Sequence, residues 1–413
     1  MREPYDLVIR NAHTRESPDA PTNIAIRDGR IAAITTEPLS GRAELAAEGN
    51  LVIPAFVDAH LHLCKVYTLP MVGEEALLRY TGSGMGQAMT AIELAAVVKA
   101  RYEETWIYTN VRRALFEGLK HGVTHVQAFV DTDTRARLEG VKGVLRAKRE
   151  LAGVVDVRVV AFPQDGILRD PGAEDYLRQA LSLGADVVGG IPWIEYTDAD
   201  AQEHVDRVFR LAREFDRDVA MLVDDAGDPG LRTTEMLAAT ALRTGWVDRV
   251  TACHARAMSM YPEPYFRRLV RLAQQAGVAF VTDPHTGPLH LRAFDLLEAG
   301  LAVALGQDDI SDAYYPYGQH NMLEVAFLAS HILQASTFRH METLLDMITT
   351  QAARVLRLSD YGLQAGRAAH LVILAGESAH DVITRHQAPR YVISHGRLVA
   401  ETTHSTLFHG LEP

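Results

Sequence analysis

Cysteine is nearly missing from this chain: Cys64 and Cys253 are the only two among 413 residues. That count excludes a disulfide framework and a cysteine-rich zinc module. Basic charge is also short, with 41 lysines and arginines against 53 acidic residues and a net charge of −12. So acidic a chain lacks the clustered positive charge that nucleic acids and anionic membranes require; a small anionic substrate is not excluded, because local charge decides that. No apolar run approaches the roughly 20 residues of a membrane-spanning helix. The opening phrase MREPYDLVIRN carries Glu3 and Asp6 and has no long apolar stretch, so no secretory signal is expected there. A cytoplasmic protein with a small-molecule partner is the expectation. What is present is ordinary globular composition, 47% apolar and 23% charged, together with 18 histidines whose positions carry the argument.

The two ends of the chain read alike. Residues 5–9, 23–26 and 30–34 are β-rich, and so are 370–374, 390–394 and 397–400. IRDGRI and ISHGRL look like two versions of one hairpin, each with glycine where a tight turn needs positive φ. Both ends are therefore expected to build one small β-sandwich domain, residues 1–52 and 363–413. Between them, short apolar runs at 51–57, 123–130, 155–162, 186–191, 218–223, 249–252, 278–281 and 301–305 alternate with helical stretches. Examples of the latter are 91–120, 135–151, 173–183 and 202–215, and glycines in LEGVKG, LSLGAD and LEAGLA suit helix ends. Eight strands in such alternation over residues 53–362 suit a (β/α)8 barrel. A doubly wound sheet competes, but no glycine-rich phosphate fingerprint follows an early strand.

The strongest motif is VIPAFVDAHLHL. Alternate residues of a strand share a face, which pairs His60 with His62 at the carboxyl end of an apolar run, where barrel active sites form. Two imidazoles so placed suit one divalent metal, and their position favours that reading over a chance pairing of surface histidines. His254 in RVTACHARAM and Asp308 and Asp309 after LAVALGQ stand at later strand ends. Taken singly, a strand-end aspartate more often caps the next helix.

These phrases, with HGVTHVQAFVD, VVAFPQDGIL, LGADVVGGIP and LGQDDISDAYYPYGQHNML, resemble the amidohydrolase superfamily and its cytosine deaminase branch over about residues 50–360. The resemblance implies a distorted (β/α)8 TIM barrel with one divalent metal ion at its mouth, zinc first, iron or manganese otherwise. It implies that His60, His62, Asp308 and His254 form the metal site. Asp308 also takes a proton from metal-bound water, and His254 polarises that water and the scissile group. Gln164, Asp309 and Tyr314 fall where the family lines its substrate pocket. A homo-oligomer is compatible with the branch.

The departures are informative. The family's fifth strand carries a ligand histidine and a proton-shuttling glutamate; the corresponding residues here are Leu222 and Asp225. No histidine lies between Val205 and Arg249 to rescue the position. Phe129 replaces a histidine on the second strand, Gln307 another before the aspartates, and Asp283 an asparagine on the seventh strand. Three outcomes follow: His60, His62 and Asp308 suffice, with or without His254; Asp224 coordinates in place of the lost histidine, or lines the substrate site; or metal binding is weak. His285 and His290 are lesser candidates, Cys64 reads as a small buried spacer, and Lys65 as a solvated side chain. The expected reaction is hydrolysis of a C–N bond in a small nitrogen heterocycle, cyclic amide, amidine or urea, with Asp225 returning the proton. A lyase or isomerase on the same barrel, or a degenerate ligand-binding homologue, is the alternative.

Overall fold

The computed structural model describes residues 4–74, 96–284 and 288–409. Eight parallel strands form one sheet: β6 (Phe56–Leu61), β7 (Val123–Asp131), β8 (Asp156–Phe162), β9 (Val187–Gly190), β10 (Asp218–Val223), β11 (Val250–His254), β12 (Ala279–Thr282) and β13 (Val303–Leu305). Each pairs with the next in sequence, and a parallel bridge between Leu61 and Asp308 joins the last segment to the first. The sheet thus closes into the expected barrel. Strand alternation divides its side chains. On β10, Ala220 and Leu222 fill the barrel interior with Phe129, Phe162, Cys253 and Val281, whereas Val219, Met221 and Val223 pack outward under the helices.

The helices that cover the barrel include α1 (Glu104–Lys120), α2 (Glu139–Glu150), α3 (Ala173–Leu183), α4 (Asp198–Phe215), α5 (Thr233–Thr244) and α6 (Glu263–Ala276). Gly184, Gly245 and Gly277 end α3, α5 and α6 in the left-handed conformation that glycine adopts without penalty. LEGVKG behaves otherwise. Its glycines lie inside α2, where a Cβ on Gly143 would stand 2.9 Å from Ile107 on α1. Close helix packing, rather than termination, explains that glycine. Of the helix expected over 91–120, residues 91–95 lie outside the described residues, and the helix is interrupted at 100–103 before α1 begins.

Both chain ends form two four-stranded sheets. One has the order β3 (Arg30–Thr35), β2 (Ser17–Arg27), β1 (Tyr5–Thr14), β4 (Gly41–Ala46). The other is β16 (Arg397–Glu401), β15 (Tyr391–Ser394), β14 (Leu371–Ile373), β5 (Val52–Pro54). Leu7, Ile9, Ile24 and Ile26 from the first share one core with Val52, Leu371, Ile373 and Ile393 from the second. The two similar hairpins meet at their tips: a Cβ on Gly396 would lie 2.5 Å from the Gly29 Cα. The apolar run at 51–57 is not one strand. The chain changes sheets at Ala55, whose N–H donates to the His370 carbonyl at 2.9 Å, and β6 then enters the barrel. Among the described residues, no helix is long and apolar enough to cross a membrane.

Candidate metal centre and active site

Barrel closure assembles the site. The His62 N–H donates to the Asp308 carbonyl at 2.7 Å, and the Asp308 N–H donates to the His60 carbonyl at 2.8 Å. A register shift between Asp58 and Leu61 re-aims the end of β6. His60 Nε2 and His62 Nε2 then lie 3.4 Å apart, and 3.2 and 3.4 Å from Asp308 Oδ1. His254 Nε2 stands 3.9 Å from the same oxygen. All four residues are buried, and their ligand atoms lie within 4.8 Å of one another. His254 and Asp308 have φ of 65° and 61°, a left-handed strain held by surrounding structure and typical of functional positions.

The spacing of the first three donors fits a metal. Tetrahedral bonds of about 2.0–2.1 Å put donor atoms roughly 3.3–3.4 Å apart. Asp308 Oδ1, though buried, accepts no aligned hydrogen bond from either imidazole. Burial works against the Asp308 charge, but His254, His60 and His62 hold it well below the usual carboxylate range. Burial, and then the charge of Lys65, push His62 well below its ordinary value, which leaves the neutral imidazole that a metal requires.

Side chains behind these donors fix them. Asp58 Oδ1 accepts from the N–H groups of His60 and Gln307, at 3.2 and 3.0 Å, and its Oδ2 lies 3.2 Å from His320 Nε2. One carboxylate thus couples the first strand to the loop after the eighth. Gly306 has no room for a side chain: a Cβ would meet Asp283 Oδ1 at 2.2 Å and the His60 Cβ at 2.7 Å. On His254, the Nδ1 side faces Arg256 Nη2 at 3.1 Å, Asp283 Oδ2 at 3.4 Å and Asp225 Oδ1 at 3.8 Å. Arg256 Nε also reaches Asp225 Oδ1 at 3.0 Å. Burial pushes the Asp225 carboxyl up to about 7, with Arg256 opposing and Asp308 adding to the shift.

A second polar group lies among the residues expected to meet substrate. Gln164 Oε1 accepts from Lys65 Nζ at 2.8 Å, and Gln164 Nε2 donates to the Tyr314 hydroxyl at 3.1 Å. Lys65 is buried, not solvated, with its ammonium 4.7 Å from the Tyr314 ring centre. Asp309 is buried, and its Oδ1 has no hydrogen-bond partner.

The expectation for Asp224 needs correction. Asp224 does not approach the cluster. Its φ of 45° turns it away from Leu222, and its carboxylate accepts from the N–H groups of Thr233 and Thr234 at 2.6 and 3.1 Å and from the Tyr261 hydroxyl at 2.7 Å. It holds the start of α5, so it neither replaces the lost histidine nor is left to bind substrate. Leu222 is packed into the apolar barrel interior. Cys64 is a buried free thiol that accepts from the Asp131 N–H at 3.4 Å, outside the four-residue cluster. His290 turns its Nδ1 to the Leu291 carbonyl, and His285 lies outside the described residues. Asp58, Arg256 and the buried role of Lys65 had no counterpart in the sequence reading; an acidic residue directly after the apolar run at 51–57 is the only signal that pointed to any of them.

The amidohydrolase family model matches residues 43–400. The chain belongs to the amidohydrolase family. It is a hydrolase acting on carbon–nitrogen bonds, and its buried histidine–aspartate cluster is consistent with a metal site. It is 32% identical to N-isopropylammelide isopropyl amidohydrolase of Pseudomonas sp. strain ADP over 97% of this chain and 98% of that protein. Its structure is similar to 5-methylcytosine deaminase from Klebsiella pneumoniae liganded with 5-fluorocytosine, with a TM-score of 0.89 at 30% identity, covering 97% of this chain and 99% of that one. N-isopropylammelide isopropylaminohydrolase from Burkholderia multivorans superposes with a TM-score of 0.83 at 26% identity, covering 96% and 98%. The family thus agrees with the resemblance read from the motifs, including its cytosine deaminase branch.

Proposed function

We propose that this amidohydrolase releases an amine or ammonia from a small nitrogen heterocycle, by adding water to a ring carbon that bears an exocyclic nitrogen. The observation that carries this reading is the convergence of His60 Nε2, His62 Nε2 and Asp308 Oδ1 within 3.2 to 3.4 Å. Those three residues would hold one divalent cation, zinc being favoured by two imidazoles and a carboxylate. Such a cation supplies Lewis acidity, which makes water nucleophilic near neutral pH.

The protein groups divide the remaining work. Asp308, held ionised by its three imidazoles, accepts the proton of the attacking water. Arg256 can only donate, so its 3.1 Å contact with His254 Nδ1 puts the ring proton on Nε2. From there His254 donates to charge developing on the substrate. Asp225, with a carboxyl pushed up to about 7, is poised to carry a proton to the leaving nitrogen. Gln164 and Tyr314, braced by Lys65, present amide and hydroxyl groups to the polar edge of the ring, with Asp309 beside them. Leu222 and Phe129 make the fifth- and second-strand side of the site apolar. That favours a ring carrying an alkyl group, or fewer polar substituents, on that side.

The test is a panel of cytosine, 5-methylcytosine and N-alkylated aminotriazines incubated in heavy-oxygen water. Release of ammonia or amine with one solvent oxygen in the product is expected. Product formed without solvent oxygen would point to a lyase or isomerase, and no turnover of any member would overturn the assignment.

A further inference from the structure

A second constellation of histidines lies at the opposite, amino-terminal end of the barrel strands, where the barrel meets the β-sandwich. His125, near the start of β7, pairs in register with Asp156, the first residue of β8. His370 directly precedes β14, and His395 occupies the tight turn between β15 and β16. Two of the four therefore come from the barrel and two from the C-terminal strands. His125 Nε2 lies 3.4 Å from Asp156 Oδ2, and His395 Nε2 lies 3.2 Å from the same oxygen. The His370 ring centre is 4.6 Å from that of His125 and 4.4 Å from that of His395. One donor atom each from His125, Asp156 and His370 falls within 4.8 Å of the others. His395 Nε2 is buried without a hydrogen-bond partner, although it points at Asp156.

The outer nitrogens are already occupied, as they are in metal-binding histidines. His125 Nδ1 contacts Thr124 Oγ1 at 2.9 Å, and His370 Nδ1 contacts Ser394 Oγ at 3.2 Å. That leaves Nε2 of each ring for a ligand. The nearby cations are directed elsewhere: Arg30 onto Asp360 at 2.8 Å and Arg397 onto the Gly153 carbonyl at 3.0 Å. A cavity of about 680 Å³ adjoins the four residues, and the Asp156 side chain is 44% exposed, which gives an ion a way in.

We propose that His125, Asp156, His370 and His395 form a second metal site, for zinc or another transition metal of similar ligand preference, that clamps the β-sandwich to the amino-terminal face of the barrel. Three imidazoles and one carboxylate suit such ions and do not suit magnesium or calcium, which prefer all-oxygen cages. Four protein donors make the site closed and structural, so it takes no part in turnover. Binding adds a cross-link between elements that are over 200 residues apart in sequence and stabilises the folded chain by mass action.

The probe is zinc titrated into protein whose first site has been removed by His60→Gln and His62→Gln. One equivalent should bind, with a rise in melting temperature. Cobalt in place of zinc should give the visible bands of a four-coordinate nitrogen–oxygen site. Adding His395→Gln, on a surface turn, should weaken binding by at least about tenfold and abolish the thermal shift. Should the first-site variant not fold, the wild-type chain serves: its zinc content should fall by one equivalent in His370→Gln/His395→Gln, with turnover retained. Absence of zinc binding once His60 and His62 are replaced, or binding unchanged by His395→Gln and His370→Gln, would overturn the proposal.

Discussion

Asp308 is a buried carboxylate kept ionised by three imidazoles where burial alone would neutralise it. In the proposed reaction that electrostatic balance lets it serve as both ligand and base. Asp308→Asn keeps the shape but lowers the charge, so kcat should fall by about 10²–10⁴-fold, the usual weight of a positioned base. Steady-state kinetics on whichever heterocycle is turned over checks this, and a near-normal rate contradicts it. A second residue-level prediction concerns His121, which caps the end of α1. Burial, and then Lys120, push it down to about 4 from an ordinary 6.5. Above pH 6.5 neither the folded nor the unfolded state binds this proton. Between 6.5 and about 4 only the unfolded state does, so stability falls with pH in that window, by roughly 3 kcal/mol at most. The urea midpoint of His121→Gln should show a shallower decline from pH 6.5 to 4.5 than the wild type; identical slopes would contradict the shift.

Elements carry a different set of consequences. Asp224 looked from its position like a substitute ligand, but its carboxylate holds the first turn of α5 and the Tyr261 hydroxyl. Asp224→Ala should therefore cost about 1–3 kcal/mol of stability, read as a lowered denaturant midpoint, with metal content unchanged. Loss of metal without loss of stability would contradict that placement. Gly306 is the converse case, a backbone position that serves the site. Gly306→Ala drives a Cβ into Asp283 and His60, so it should lower both stability, by about 1–3 kcal/mol, and metal affinity. The element level also shows how much was legible beforehand. The strand at 218–223 and the His60–His62 pair follow from local apolar runs and alternation, which the sequence displays directly. The change of sheet at Ala55 does not, because tertiary pairing with His370 decides it. Asp58, Arg256 and the burial of Lys65 were missed for a related reason. A buried charge is tolerated only when its partners are in place, and those partners come from remote segments such as His320 and Gln164.

For the whole molecule, closure of the barrel and assembly of the site are one event. The bridge between Leu61 and Asp308 that joins first strand to last also sets the two histidines against the aspartate. On the proposed reading Leu222 is compatible with a metal site, since three donors from the closure seam have the spacing of tetrahedral ligands without a fifth-strand histidine. The sandwich made by both chain ends packs beneath this barrel and leaves the mouth to the loops that carry Gln164, Asp225 and Tyr314. The most direct test of this account is the metal content of freshly purified wild-type protein against His60→Gln/His62→Gln, measured by elemental mass spectrometry. The account predicts one equivalent less of bound transition metal in the double variant, together with loss of hydrolysis. Equal metal content in the two proteins would contradict it.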